Sequence, residues 1–314
     1  MSNGSAANGA VSINRKTITV TCGVSAAYLL LSALVVGYKT DQLVLVLLFN
    51  LAFYASAISR KFITGFAIFI VYWITYDYMK AFPNYNYSAV HIADLYHTEK
   101  HIFGINISGK VLTPNEYWRY NGNSFLDLMC GIFYLCWIPV PMAFAVYLFF
   151  KKRRQFLLFL LTFVLVNFIG FIIYYTFAAA PPWYVAYKGF NFVAHTPGNT
   201  AGLAKFDAYF NIGLFKSIYA KGSNVFAAMP SLHSSYPVIV LYYGLKNKLG
   251  VINVFFATVT VGIWFAAVYL SHHYVLDVLA GITCAIVGIA LFNLLLSRSG
   301  FFKRFIDGYE RAIM

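Results

Sequence analysis

Met229-Pro230-Ser231-Leu232-His233 and Ser271-His272-His273-Tyr274-Val275-Leu276-Asp277 enclose two long apolar runs, Ser234 to Leu245 and Leu249 to Leu270. The runs are parted by the short polar step Lys246-Asn247-Lys248. Two such runs cross a bilayer and return. His233 and His273 are therefore expected on one membrane face, joined by a helical hairpin.

Working outward, the composition agrees. Of 314 residues, 61% are hydrophobic and 11% charged, and the mean hydropathy is +0.69. Soluble domains do not look like this. The expected fold class is all-α: a polytopic transmembrane helical bundle of about eight spans. They lie near Ile18–Gly37, Gln42–Ile58, Phe62–Met79, Leu126–Phe150, Gln155–Ala180, Phe226–Leu245, Leu249–Leu270 and Val275–Ser297. The distribution of basic residues sets the orientation. With both termini cytoplasmic, Arg15, Lys16, Arg60, Lys61, the run Lys151-Lys152-Arg153-Arg154, Lys246, Lys248, Arg298, Lys303, Arg304 and Arg311 all fall inside. The histidine face is then extracytoplasmic. The net charge of +13 is spread over short loops, which suits anionic lipid and not nucleic acid.

Residues 1–14 are rich in Ser, Asn, Gly and Ala and are expected to be a disordered tail, leaving 15–314 as a single membrane-embedded catalytic domain. Cys22, Cys130, Cys136 and Cys284 all fall in expected spans and look like small packing residues without a disulfide. The third span ends in Tyr76-Asp77-Tyr78-Met79-Lys80, where Asp77 is costly at membrane depth unless it is paired. A long outer loop follows. In it His91, Asp94, His97 and His101 fall on one helical face, a spacing open to a metal site but read here as an amphipathic surface helix with no metal. A second outer loop holds Gly and Pro turns from His195 to Asp207, with Lys188, Lys205, Lys216 and Lys221 around them. An anion is the expected neighbour.

The histidine segments carry the chemistry. Pro230 suits the first turn of a helix, so Ser231, Leu232 and His233 sit where free N–H groups and the helix dipole favour a phosphate. His233 is placed to deliver a proton to a leaving oxygen. His273 and Asp277 are four apart, one above the other on a helix face. The carboxylate then takes the Nδ1 proton side and leaves Nε2 as nucleophile or base. His272 is out of register with Asp277.

Pro230-Ser231-Leu232-His233 and His273-x-x-x-Asp277 resemble the second and third signatures of the type 2 phosphatidic acid phosphatase superfamily, membrane enzymes that work through a phosphohistidine without metal. Within it the chain is most similar to the inositol phosphorylceramide synthases, the aureobasidin-target group with its bacterial relatives. That likeness rests on Ala180-Pro181-Pro182-Trp183-Tyr184, Pro197-Gly198, Ala201 to Asp207, Met229 to His233, and His272-His273-Tyr274-x-x-Asp277. Tyr76-Asp77-x-x-Lys80 and Asp94-Leu95-Tyr96-x-x-Glu99 match further family positions. Two departures stand out. The lysine and Arg-Pro of the first signature are replaced by Ala-Pro-Pro-Trp-Tyr, and Val268 to Ser271 holds no cation.

The resemblance implies transfer of phosphoinositol from phosphatidylinositol to ceramide or dihydroceramide, with no cofactor. His273 would be nucleophile, His233 acid and base, and Asp277 the orienting carboxylate. Ser231, Lys205, Asp207, Lys80, Asp77 and Tyr184 are the expected substrate- or phosphate-binding residues. A lipid phosphate phosphatase, a sphingolipid synthase with an ethanolamine or choline head group, and a non-enzymatic lipid transporter are the alternatives. The short chain favours a bacterial inner membrane, and oligomeric state is not legible.

Overall fold

The computed structural model describes residues 14–314 apart from 221 and 223. The expected tail at 1–14, except Asn14, and Lys221 therefore lie outside the described residues. In chain order the helices are α1 (Arg15–Val35), α2 (Thr40–Ala55), α3 (Ala57–Tyr78), α4 (Ala93–Phe103), α5 (Pro114–Asn121), α6 (Ser124–Leu135), α7 (Pro139–Lys151) and α8 (Arg153–Thr176). They continue as α9 (Pro182–Lys188), α10 (Ala204–Phe210), α11 (Leu214–Ala220), α12 (Leu232–Lys246), α13 (Ile252–Tyr269), α14 (Val275–Arg298) and α15 (Gly300–Ile313). The chain is a polytopic helical membrane protein. Among the described residues six stretches are long and apolar enough to cross a bilayer, and α2 is a shorter apolar helix.

Two compact units divide the chain. One comprises residues up to Phe82 with Lys303–Met314. Its helices are joined by polar bridges: Ser32 Oγ meets Tyr78 Oη at 2.8 Å, and Asn50 Nδ2 donates to Ser25 Oγ at 3.0 Å. The Tyr309 hydroxyl donates to the Thr64 carbonyl, which holds α15 to α3.

The other unit, Pro83–Phe302, carries both histidine segments. Here α12 packs against α13, α14 and α8. Three of its helix boundaries differ from the sequence expectation, each for a physical reason. The span expected over Leu126–Phe150 is two helices, α6 and α7, parted at Cys136–Ile138 where Pro139 opens a new helix. The span expected to reach Ala180 ends at Thr176, because Ala178 and Ala179 pair in parallel with Val90 and His91. The span expected from Phe226 starts only at Leu232. Ala227 bridges to Ala179, with Ala179 N donating to Phe226 O at 2.8 Å, and a residue before proline is pushed toward extended backbone. Asn84 locks this junction, its Nδ2 donating to Tyr174 O and Phe226 O, both at 2.9 Å.

The start of α12 is set by α14. A Cβ added at Gly281 would lie 2.1 Å from Ser231 O, so only glycine admits this approach. Ser231 N donates to Asp277 O at 2.9 Å, and Ser235 Oγ donates to Gly281 O at 2.6 Å. Small residues at such a crossing let two backbones meet. The consequence is functional: His233, two residues into α12, is held against the loop that carries His273.

Candidate active site

His273 leaves the end of α13 in a loop pinned from three sides. Asn115, at the start of α5, donates through Nδ2 to Val268 O and His273 O, both at 2.8 Å. Trp183 N bonds Ser271 O at 3.1 Å, and Gly202 N bonds Leu270 O at 3.0 Å. His272 Nε2 donates to Thr200 O at 3.1 Å, and its ring is sandwiched between Tyr134 at 5.2 Å and Tyr219 at 4.7 Å, both nearly parallel. His272 thus has a scaffolding position, where the sequence indicated only that it misses Asp277. Burial, with His273 and His233 adding to it, holds its pKa well below the usual histidine range.

The two expected catalytic histidines meet. His233 Nδ1 lies 3.2 Å from His273 Nε2. Behind His273, the Asp277 carboxylate stands 3.5 Å from Nδ1. His273 and Asp277 are both buried, and burial lowers the His273 pKa to about 4. Its imidazole is therefore neutral at neutral pH, as a nitrogen nucleophile requires. A single tautomer assignment satisfies these neighbours. With the His273 proton on Nδ1 toward Asp277, Nε2 carries a lone pair, and His233 Nδ1–H points at it. Asp277 also accepts from Tyr274 N at 2.8 Å, which caps α14 and fixes the carboxylate.

His233 has aromatic walls. Trp137 stands edge-on to it at 4.4 Å, and the Tyr134 hydroxyl lies 3.2 Å from its Nδ1. Within α12, Pro237 has no N–H to give the His233 carbonyl, and the next carbonyl, Ser234 O, takes the Trp264 indole N–H at 3.0 Å.

Of the other residues singled out in the sequence, Ser231 is beside the pair, fully buried, with its Oγ accepting from Ser234 Oγ at 3.0 Å. Lys205 is bound to Asp127 at 3.1 Å, and Asp127 also takes the Tyr269 hydroxyl at 2.7 Å. Asp207 uses both oxygens on the first amides of α11, Phe215 N at 3.1 Å and Lys216 N at 2.9 Å. Tyr184 joins its hydroxyl to Asn191 O and Val193 N, closing a loop on itself. Asp77 and Lys80 belong to the first unit and pair with each other at 2.5 Å. In the His91 loop the helix forms as α4, His91 pairs with Asp94 and stacks on Phe177 at 3.8 Å, and His97 rests on Phe190. Among the described residues no group of three or more His, Cys, Asp or Glu side chains is arranged to hold a metal, and the four cysteines are free.

With the geometry in place, comparison with known proteins decides the family. A PAP2 superfamily model matches residues 112–291, which contain both histidine segments. The chain belongs to the PAP2 superfamily. It is 41% identical over 301 residues to a phosphoinositol dihydroceramide synthase of Bacteroides thetaiotaomicron, covering 95% of this chain and 98% of that protein. It is 28% identical over 221 residues to the inositol phosphorylceramide synthase catalytic subunit of Saccharomyces cerevisiae, covering 68% of this chain and 53% of the yeast protein. To the inositol phosphorylceramide synthase of Candida albicans it is 30% identical over 120 residues, covering 37% and 24%. No solved structure matches the chain.

Sequence reasoning gave Glu99 no role in this PAP2 site, yet it is fully buried and accepts from Val275 N at 2.9 Å and Leu276 N at 3.1 Å. It ties α4 to the first turn of α14. Burial raises its pKa to about 7 from 4.5; the two amide bonds oppose that rise, and the Asp277 charge adds to it. Because the folded pKa is the higher one, the stability Glu99 contributes is fully present below about 4.5 and is lost as pH rises through about 7. Its ionised form is the stronger acceptor for the α14 amides, so the clamp tightens over the same interval. The expected result is a limb of kcat/KM rising near pH 7. Glu99→Gln should flatten that limb, and because its amide does not titrate, any gap in unfolding midpoint between wild type and the variant should move in the variant's favour as pH rises through about 7. An unchanged limb in the variant would remove Glu99 from this role.

Proposed function

We propose that the protein transfers phosphoinositol from phosphatidylinositol to ceramide or dihydroceramide through a phosphohistidine, releasing diacylglycerol. The observation that carries this reading is the 3.2 Å approach of His233 Nδ1 to His273 Nε2 with Asp277 behind His273. The printed activity of the Bacteroides relative supports the choice of substrates.

In the first step the lone pair on His273 Nε2 attacks phosphorus in line, and the bond from phosphorus to the diacylglycerol oxygen breaks. His233, entering this step as the imidazolium favoured by the negative phosphodiester, gives a ring proton to that oxygen and is left as the neutral imidazole. The imidazolium-like phosphohistidine is stabilised by Asp277 through Nδ1–H. In the second step His233 takes the proton of the acceptor's primary hydroxyl as that oxygen attacks phosphorus, and His273 leaves neutral. His233 and His273 touch directly in this arrangement, so they part to admit the phosphoryl group. Positioning and charge stabilisation supply most of the rate in such reactions. Both lipids reach the pair from the bilayer, with the site on the extracytoplasmic face of a bacterial inner membrane.

The test is incubation of purified protein in detergent micelles with head-group-labelled phosphatidylinositol and dihydroceramide. A labelled sphingolipid is expected. Labelled water-soluble inositol phosphate formed without dihydroceramide would instead make the protein a phosphatase, and no reaction would remove this head group.

A further inference from the structure

Phosphoryl transfer places charge on the non-bridging oxygens, which need donors. Among the described residues, the hydrogen-bond and ion-pair partners of His233 and His273 include no lysine or arginine. The polar group that does meet the pair is the hydroxyl of Tyr134, on α6, at 3.2 Å from His233 Nδ1.

Its proton accounting is informative. If His233 Nδ1 carries the proton that faces His273, then the Tyr134 oxygen accepts from the same N–H. Tyr219 Oη donates to that oxygen too, at 3.5 Å. Both protein contacts of the hydroxyl then use its lone pairs, and the Tyr134 proton itself has no protein acceptor. Tyr134 is only 1% exposed, so this is an O–H held away from solvent, with its oxygen 3.2 Å from one member of the reacting pair. A buried hydroxyl without an acceptor is unfavourable, and a phosphoryl oxygen entering between the histidines supplies one. The ring is fixed independently of the hydroxyl by its stack on His272.

We propose that Tyr134 is a catalytic residue whose hydroxyl donates to a non-bridging oxygen of the phosphoryl group held between His233 and His273. The assignment rests on the phosphoryl-transfer reading above but not on its head group. No bond forms or breaks at Tyr134. Its proton stays on oxygen, and the contact strengthens as charge gathers on the phosphoryl oxygens. When the histidines part, the same hydroxyl keeps His233 Nδ1 oriented, because that contact does not depend on His273.

The experiment compares wild type with Tyr134→Phe, which keeps the ring and its stack on His272 and removes only the hydroxyl. Transfer kinetics, the unfolding midpoint, and stabilisation against heat by orthovanadate, a phosphoryl mimic, are measured on the full chain in micelles. The expected kcat falls by about 100-fold, as for loss of one preorganised donor. KM should stay within about threefold, the unfolding midpoint should be unchanged, and vanadate should stabilise the variant less than wild type. Wild-type kcat in the variant overturns the proposal, and so does a loss of rate that follows the unfolding midpoint. If wild type itself transfers no phosphoinositol, the head-group reading fails alone. The vanadate comparison then decides Tyr134, and an equal response of the two proteins, including none, overturns it.

Discussion

Replacing His273 by alanine is expected to lower transfer by about 10⁴-fold or more, as loss of a covalent nucleophile does where its partners act as a unit. The size follows from the absence of a substitute. His272 is adjacent in sequence, but its Nε2 is bonded to Thr200 O and its ring is fixed between Tyr134 and Tyr219. It cannot swing to phosphorus without giving up those contacts. His233 retains the acid–base role but has no nucleophile to serve. The fold should survive, since the His273 backbone carbonyl keeps its bond from Asn115. Measured together, transfer rate and unfolding midpoint separate the two effects. A variant that keeps turnover within about tenfold of wild type would place the nucleophile elsewhere. Loss of the labelled enzyme intermediate after an alkaline denaturing quench, which preserves the acid-labile P–N bond, should accompany loss of rate.

The centre of this site is legible in the sequence because it depends on periodicity. Two apolar runs return His233 and His273 to one face, and a spacing of four sets Asp277 behind His273. The walls depend on tertiary contacts that leave no such trace. Tyr134 and Trp137 stand in an apolar stretch and look like packing residues; only the break between α6 and α7 and the crossing of α12 turn them toward His233. Asn115 lies in Thr113-Pro114-Asn115-Glu116, a visible capping box, but the carbonyls it grips are those of Val268 and His273, far along the chain. Asp207 and Tyr184 show the converse. Their motifs were legible, and their polar atoms hold loops: a carboxylate on the amides of α11, and a hydroxyl on Asn191 and Val193. A pattern of polar residues in a loop does not distinguish contact with a ligand from contact with the loop's own backbone, since both satisfy the same donors.

Asp277→Asn is expected to lower kcat by about 10³-fold, the scale of losing one preorganised charge-stabilising group. One oxygen of Asp277 accepts from Tyr274 N at 2.8 Å and stands 3.5 Å from His273 Nδ1, while the other has no protein partner. Asparagine keeps the bond to Tyr274 through its remaining oxygen, so the cap on α14 is preserved and the unfolding midpoint should move little. That bond also decides where the amide NH₂ goes: the oxygen stays on the side that faces both Tyr274 N and His273 Nδ1, and the nitrogen takes the position that has no protein partner. His273 then keeps its proton on Nδ1 and its lone pair on Nε2, but loses the negative charge that stabilises its phosphorylated, imidazolium-like form. Asp277→Ala gives a sharper comparison. Alanine loses the cap, at about 1 kcal/mol of stability, and also the acceptor beside Nδ1, so its kcat should be lower than that of the asparagine variant. ¹⁵N shifts of the His273 ring would report the tautomer directly. Wild-type turnover in Asp277→Asn would show that Asp277 acts only as a helix cap, and an Nε2–H tautomer in that variant would show that its amide nitrogen has turned to His273.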